Sequence, residues 1–322
     1  MKHMTFGIKK FYEYAQASRR DFVIDKETGF CGRFRFSDRN HMVIGADLGL
    51  NSSAAQRISN DKLFAASFLA ADGINVMASV PCSTLGELEA VSLAFPLIVK
   101  PNEGSGGEGV YKVDSREELL QAYASLAGTC NYVLVQECIS KPEYRILVFK
   151  GRVYFAYQRL SYVISGDGDS SVRQIIARRN DRYRKSQQID MADPRLLFNL
   201  KKQGKGIDDV LAAGERLQLF YNANLSAGAS LVDVTDDCHD YYRQLAVRCC
   251  DALGLKIAGI DLFADSLSVI DDRYQVIEVN GSPGFEYFSG REDLLDSLFA
   301  DIMAFLEEEY RGAPPAAGGS SV

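Results

Sequence analysis

A glycine-rich segment between two apolar runs contains the residue types that most clearly suggest chemistry. Residues 95–99 are apolar and lead into Lys100, and four glycines and a serine follow: Gly104, Ser105, Gly106, Gly107 and Gly109. Glycines let backbone N–H groups curl around an anion without interference from a Cβ atom. A lysine adds a positive charge for a phosphate oxygen. The segment therefore predicts a phosphate-binding loop.

The elements around this loop distinguish it from better-known phosphate sites. A P-loop needs its lysine after the last glycine, at the start of a helix. Here residues 110–113 continue as a strand, and a helix begins only at Ser115, which forms an S-x-x-E capping box with Glu118. The order predicts a strand, a loop and a second strand that together make a flap over phosphates. A glycine-rich hairpin that binds no ligand is the alternative.

Three side chains with oxygen donors interrupt two apolar strands near the end of the chain. Asp261 lies within residues 257–264, and Glu278 and Asn280 lie two apart within residues 274–280. Because side chains alternate along a strand, Glu278 and Asn280 share a face, and an antiparallel partner can bring Asp261 beside them. Such a set suits Mg²⁺. A solvated polar face is the alternative, but the apolar neighbours argue for burial, and buried carboxylates need a partner.

The elements that would position these residues alternate between helices and strands. Helices are predicted at residues 6–17, 62–71, 172–179, 236–253 and 292–310, and after the capping residues Thr84 and Ser115. Strands are predicted at residues 22–24, 34–36, 42–44, 74–80, 95–99, 110–113, 132–136, 257–264 and 274–280, and in a hairpin at 144–149 and 152–157. The Lys150-Gly151 pair predicts the turn of that hairpin.

The composition and the breaks between elements divide the chain into four parts. A short N-terminal α/β region occupies residues 1–58, and a first α+β subdomain with the glycine flap occupies residues 59–140. A second subdomain, residues 141–311, contains the carboxylates and a long polar segment at 166–214 that is expected to act as a lid. Residues 312–322 consist of Gly, Ala, Pro, Ser and Val and are predicted to be disordered.

Composition excludes several classes of function. The chain has 322 residues, 47% of them hydrophobic, and a net charge of −7. The negative charge argues against nucleic acid and anionic membranes as partners. Seven cysteines without a C-x-x-C spacing predict buried thiols in a reducing compartment. No apolar stretch approaches the length of about 18 residues that a membrane helix needs, and no signal peptide opens the chain, so a cytoplasmic location is expected.

A series of short motifs, taken together in their order and spacing, resembles the ATP-grasp superfamily of carboxylate–amine ligases. They are Asn60-Asp61-Lys62, Ile98-Val99-Lys100-Pro101, Gly166-Asp167-Gly168, and the segments 143–148, 224–228, 233–235 and 276–284. The likeness covers about residues 42–290. It is greatest to the ATP-grasp part of cyanophycin synthetase and of bifunctional glutathione synthetase. It implies an α+β, ATP-grasp fold in which two subdomains clamp ATP.

The resemblance also implies roles for individual residues. Lys62 and Lys100 would contact the ATP phosphates, with the flap at residues 104–109 folded over them. The adenine hinge and the ribose would be held by Gln136, Glu137, Ile139 and Glu143. Asp261, Glu278 and Asn280 would hold Mg²⁺ or Mn²⁺, and Arg145 would face the transferring phosphoryl group or the acyl phosphate. The alternatives are that Lys62 is a solvated lysine in the first turn of a helix and that Arg145 is a surface arginine.

One position departs from part of the superfamily. Many D-alanine ligase relatives have an arginine two residues before the metal-binding aspartate, where this chain has Gly259. The cyanophycin-type branch also has glycine there. The donor that would stabilise the oxyanion is therefore open. Four basic residues of the polar segment either contribute to stabilising the oxyanion or are solvated: Arg173, Lys201, Lys202 and Lys205.

The resemblance implies a ligase that activates a carboxylate as an acyl phosphate and then forms an amide with an amine. The expected substrates are amino acids or small peptides, and many such ligases form homodimers. Three alternatives are open. The first is a ligase that adds amino acids to a protein or peptide terminus, the second is a kinase, and the third is a nucleotide-binding module without activity.

Overall fold

The computed structural model describes residues 4–36, 39–104, 107–182, 188–221, 230–285, 288 and 290–311. Its helices are α1 Phe6–Ser18, α2 Ser53–Asn60, α3 Lys62–Ala71, α4 Leu85–Glu89, α5 Arg116–Leu126, α6 Val172–Asn180, α7 Pro194–Lys202, α8 Asp240–Ala252 and α9 Glu292–Arg311. The first strands are β1 Phe22–Ile24, β2 Cys31–Phe36, β3 Arg39–Ile44, β4 Val80–Cys82, β5 Leu97–Pro101, β6 Tyr111–Val113 and β7 Val133–Glu137. The others are β8 Glu143–Phe149, β9 Arg152–Leu160, β10 Val163–Ser165, β11 Arg216–Gln218, β12 Ser230–Asp233, β13 Ile257–Phe263 and β14 Gln275–Asn280.

These elements confirm the predicted α+β class. The strands form antiparallel sheets, and the helices pack on their faces. The predicted tail at residues 312–322 and the motif at residues 224–228 lie outside the described residues. In the part of the chain that is described, no helix has the length and apolar character needed to span a bilayer.

A five-stranded sheet in the order β12-β9-β8-β13-β14 forms the middle of the second subdomain. Alternate residues of β8 enter two different cores: Ile146 packs with α3 and α8, whereas Leu147 packs with α1 and α9. The predicted turn between β8 and β9 is present, with left-handed φ angles of 48° at Lys150 and 75° at Gly151. Both faces of the sheet are therefore covered.

The N-terminal region packs on one face of this sheet. Its strands form a sheet in the order β1-β2-β3. Phe11 of α1 contacts Phe34 of β2 and Phe299 of α9, with ring centroids 5.3 and 5.4 Å apart. Because the same core includes Phe155 of β9, the region shares its hydrophobic core with the second subdomain.

The first subdomain has a four-stranded sheet in the order β4-β7-β5-β6, with α5 packed against it. The predicted strand at residues 74–80 is wrong for most of its length, since the strand is β4. Residues before it bond the edge of β14 instead: Met77 N donates to Val276 O at 2.9 Å, and Val276 N donates to Asn75 O at 2.9 Å. This segment therefore ties the two subdomains together.

The helix predicted to begin at Ser115 is α5, but only half of the expected capping box is present. Ser115 Oγ accepts a hydrogen bond from Glu118 N at 3.2 Å. The Glu118 carboxylate accepts from Asp114 N at 2.8 Å instead of from Ser115 N. The cap therefore holds the end of β6 as well as the start of α5.

Strands β10 and β11 and the polar segment between them fold into a small module, defined here as residues 163–182 and 188–221. It is called the inserted module because it lies in the chain between β9 and β12, which pair in the five-stranded sheet. The predicted helix at 172–179 is present as α6, but α7 was missed. Asp193 caps α7 and Pro194 occupies its first turn, and Leu196 and Leu200 are buried in a core that also contains Ile176. The apolar residues of α7 form a short run without a clear helical period among so many charges, so they did not predict this helix: Leu196, Leu197, Phe198 and Leu200.

Candidate active site

A cavity of about 790 Å³ lies between the two subdomains. Most of the predicted site residues line it: Lys62, Lys100, Gly104, Gly107, Gln136, Glu137, Ile139, Glu143, Arg145, Asp261, Glu278 and Asn280. Gly109 lines a neighbouring depression. Ser105 and Gly106 lie outside the described residues. Residues from distant parts of the sequence thus meet at one place.

The glycine segment has the predicted order of strand, loop and strand. β5 and β6 pair antiparallel, with Leu97 opposite Val113. Gly104 and Gly107 have φ angles of 115° and 71°, which a residue with a side chain rarely adopts. The loop therefore needs glycine at these two positions for its backbone path.

Two lysines extend from different elements into the cavity. Lys62 begins α3 behind the N-cap Asp61. Its Nζ donates to Asn102 O at 3.2 Å and to Gly104 O at 3.1 Å, and it lies 3.8 Å from Glu278 Oε2. This lysine therefore links the flap to the predicted metal ligand, which argues against the solvated alternative.

Lys100, at the end of β5, is 6% exposed. Among the described residues its ammonium group has no hydrogen bond or ion pair. Burial, helped by the charge of Lys62, lowers the pKa of Lys100 to about 8, although Glu278 opposes the shift. A buried ammonium without a partner is unfavourable unless an anion is supplied. Its position therefore favours a bound phosphate.

Asp261 is held by two arginines in the floor of the cavity. It lies opposite Arg145 on β8 and opposite Glu278 on β14. Arg145 Nε and Nη2 donate to its two carboxylate oxygens at 2.5 and 2.6 Å, and Arg159 Nη1 lies 3.0 Å from Oδ2. Burial raises the pKa of the Asp261 carboxyl, but the two arginines outweigh it and the pKa lies below its ordinary value. Arg145 is thus a buried residue, not a surface arginine.

Arg159 is the functional candidate that the sequence analysis missed. Its Nη1 donates to Glu143 Oε1 at 2.5 Å, and it lines the same cavity. Burial nevertheless raises the pKa of the Glu143 carboxyl. Counting residues from the turn between β8 and β9 would place Gln158 opposite Glu143. A bulge between Leu147 and Val148 shifts the register, so Arg159 lies opposite Glu143 instead.

Gly259 makes room for Arg145. A Cβ atom built at Gly259 would lie 3.2 Å from Arg145 Cδ and 3.3 Å from its Nε. Arg145 comes from the neighbouring strand β8. Its side chain thus lies over the position at which part of the superfamily is expected to have an arginine. A larger residue at 259 would displace it.

The predicted metal ligands meet the chemical requirement of a hard divalent cation. Glu278 faces the cavity with 26% of its side chain exposed, and Asn280 lines the same wall. No group of three His, Cys, Asp or Glu residues suited to a metal occurs in the described ranges, and the third predicted donor, Asn280, is an amide. The oxygen donors therefore fit Mg²⁺, but Asp261 would bind it while also paired with the arginines.

The N-terminal region holds the loop that follows Asn280. Asn51 Nδ2 donates to Gly281 O at 2.8 Å and to Ile257 O at 2.9 Å. Asn51 Oδ1 accepts from Lys256 N at 2.8 Å. Gln56 of α2 bonds Ser282 in the same loop. These polar residues precede the motif at Lys62, and no periodic pattern in the sequence pointed to their partners.

The predicted hinge residues also line the cavity. Gln136 is buried and donates to Ser79 Oγ at 2.6 Å, and Glu137 ends β7. Apolar side chains from both subdomains complete the wall: Met77, Ile98, Phe263 and Ile277. A flat apolar ring with polar edges would suit such a space.

Comparison with known proteins gives a consistent picture. Residues 59–172 and 207–296 match the sequence model of the RimK-like ATP-grasp domain. The chain is 30% identical over 202 residues to a cyanophycin synthetase from Geminocystis herdmanii, which is 59% of this chain and 23% of that protein. It is 25% identical over 309 residues to the glutathione biosynthesis bifunctional protein of Desulfotalea psychrophila, which is 90% of this chain and 40% of that protein. The chain thus spans less than half of these relatives.

Solved structures show the same fold. A bifunctional glutathione synthetase from Pasteurella multocida superposes with a TM-score of 0.57 at 23% identity, over 92% of this chain and 44% of that one. A D-alanine--D-alanine ligase from Bacillus anthracis gives a TM-score of 0.50 at 16% identity, over 80% of this chain and 72% of that one. At these identities the likeness concerns the fold alone.

Proposed function

The chain belongs to the RimK-like ATP-grasp family, and from this premise we propose that it is an ATP-dependent carboxylate–amine ligase. The observation that carries the proposal is the cavity in which Lys62, Glu278 and Lys100 converge, with no hydrogen bond or ion pair to the Lys100 ammonium from the described residues. A nucleotide phosphate would supply the anion that this arrangement needs.

In the proposed reaction a carboxylate oxygen of one substrate attacks the γ-phosphorus of ATP. The bond from phosphorus to the bridging oxygen breaks, and ADP leaves. An amine then attacks the acyl carbon, loses a proton, and phosphate departs from the amide product. Family ligases use ATP in this way, and the energy of the phosphoanhydride drives amide formation.

The chain's own residues would position the phosphates and neutralise their charge. Lys62 from α3 and Lys100 from β5 would bind phosphate oxygens. Arg145, held by Asp261 and covering Gly259, is our candidate for the donor that stabilises negative charge on the acyl phosphate. Preorganised charges in a partly dry site are effective because they do not reorganise during the reaction.

Glu278, Asn280 and Asp261 would hold Mg²⁺ or Mn²⁺, which when bound would neutralise phosphate charge. Gln136, Glu137 and Ile139 are proposed to hold adenine. Glu143 is proposed for the ribose, with its carboxylate oriented by Arg159.

The proposed substrates are an amino acid or short peptide with a free carboxylate and a second molecule with a free amine. Relatives named cyanophycin synthetase and glutathione synthetase support this class. Addition of amino acids to a protein terminus is the second candidate. Kinase activity is a third candidate. The convergence of both lysines and the three predicted metal ligands on the cavity argues against an inactive binding module. A homodimer and a cytoplasmic location stay predictions.

The test is ADP release with Mg²⁺-ATP across a panel of amino acids, alone and in pairs. We expect turnover that needs both a carboxylate and an amine, with a loss of about 100-fold or more in Glu278→Ala. Glu89→Ala, an exposed carboxylate on α4, is the matched control and should keep full activity. Turnover that needs no amine would indicate a kinase. ATP binding without turnover under any pairing would contradict the small-molecule ligase.

A further inference from the structure

The inserted module reaches the glycine flap through one face of α7. Arg195, Phe198 and Lys202 are three and four residues apart, so they form a single stripe along the helix. All three contact the first subdomain, at the flap, at β6 and at the start of α5. One side of α7 thus supplies three of the contacts between the module and the first subdomain.

Arg195 holds the backbone of the flap directly. Its Nη1 donates to Gly107 O at 2.5 Å. The same guanidinium is oriented by Asp193, whose Oδ2 accepts from Nη2 at 2.5 Å, and it lies 5.5 Å from the ring centroid of Phe220. Because contacts within the module fix the Arg195 guanidinium, its hydrogen bond restrains the position of Gly107.

The other described end of the glycine loop is held in a similar way. Lys62 Nζ donates to Gly104 O at 3.1 Å. A cation therefore binds the carbonyl at each described end, one from α3 and one from the inserted module. Both bonds engage carbonyl oxygens, whereas an anion site uses backbone N–H groups.

Lys202 is the second cation of α7 that binds the first subdomain. Its Nζ donates to Lys112 O at 2.9 Å and lies 2.5 Å from Asp114 Oδ2 and 3.1 Å from Glu118 Oε2. Only 10% of its side chain is exposed. A mostly buried ammonium with three partners is a stronger contact than an isolated surface ion pair.

The stripe is continuous with the cavity wall. Between the two cations, Phe198 packs edge-on against Tyr111, with ring centroids 5.6 Å apart. Tyr221, at the end of the module, lines the cavity, and Lys112 Nζ lies 4.8 Å from its ring centroid. A change at the stripe would therefore be transmitted to residues that face a bound nucleotide.

Arg195 and Lys202 lie between the two stretches that match the family, 59–172 and 207–296. We propose that they are positioning residues that fix the glycine flap of this chain, so that the inserted module sets how firmly ATP is held. The role in holding ATP rests on the proposed function, whereas the role in fixing the flap does not.

The first measurement is amide hydrogen exchange in the protein without nucleotide. In Arg195→Met and in Lys202→Met we expect residues 107–113 to exchange about tenfold faster, because a charge-assisted hydrogen bond to the flap or to β6 is lost. Arg195→Lys should restore part of the protection. Lys201→Met, an exposed lysine of α7 outside the stripe, is the control and should leave exchange unchanged. Unchanged exchange in both stripe variants would overturn the inference.

The second measurement is the affinity for a non-hydrolysable ATP analogue with Mg²⁺. We expect the dissociation constant and the KM for ATP to rise about tenfold in Arg195→Met, with a smaller change in kcat. A loss of kcat with an unchanged KM would contradict a positioning role. If the wild-type protein binds no nucleotide, the proposed function fails, whereas the exchange result still decides whether the stripe fixes the flap.

Discussion

Lys100 is the residue whose surroundings are most unusual for its type. A buried lysine normally has an ion-pair partner, and its ammonium group here has none among the described residues. The lowered pKa follows from this environment. A phosphate in the cavity would favour the charged form and raise that pKa again.

This predicts a pH dependence of nucleotide binding. Because the pKa of Lys100 is about 8 in the free protein, the group is charged below that pH and neutral above it. Binding of a phosphate above pH 8 then requires uptake of a proton, so the affinity for ATP should fall about tenfold per pH unit once the pH is well above 8. Titration calorimetry across this range would measure it.

Lys100→Arg is the control, because arginine stays protonated throughout the range. Its affinity for ATP is expected to be weaker at neutral pH, since the larger guanidinium must fit the same space, but nearly independent of pH. A wild-type affinity that does not change between about pH 7 and 9.5 would contradict the assignment of the phosphate charge to Lys100.

Gly259 gives a second prediction for a single residue. In Gly259→Ala the new methyl group would meet the side chain of Arg145, at 3.2 Å from its Cδ, and displace the guanidinium by a few tenths of an ångström. We expect turnover to fall about tenfold, because small displacements of a charge that faces the reacting group are costly. Steady-state kinetics would measure the loss.

The matched control is Gly86→Ala, because a Cβ atom at that helical glycine would have no neighbour within 4 Å. It should keep full turnover and gain slightly in stability. If Gly259→Ala were as active as the wild type, Arg145 would have room to spare and its placement over Gly259 would have no role in the reaction.

At the scale of elements, local signals predicted the helices that carry the site. The Asp61 cap and Gly73 bound α3, and its observed limits match the prediction. The strands of Asp261 and Glu278 were also predicted, since their apolar runs are long. Arg159 was missed because β9 continues past the predicted end at residue 157 and a bulge sets its register. α7 was missed because its short apolar run shows no clear helical period. Contacts between elements are thus what the sequence alone did not reveal.

At the scale of the whole molecule, the N-terminal region and the second subdomain form one structural unit. Their common core runs from Ile8 in α1 to Leu306 in α9 and includes residues of β8 and β9. Asn51 and Gln56 connect the same region to the loop after Asn280. The part of the chain with the weakest sequence signal therefore supports the candidate metal site.

The substitution Phe11→Ala tests whether the N-terminal region and the second subdomain form one structural unit. Phe11 is fully buried between α1, β2 and α9, and its truncation should destabilise the protein by about 3–5 kcal/mol. Because the core is shared, urea unfolding followed by circular dichroism and by nucleotide binding should shift together as one transition. Phe30→Ala, which removes a side chain that is 49% exposed, should change stability little. A separate early transition that leaves nucleotide binding intact would show instead that residues 1–58 fold as a domain of their own.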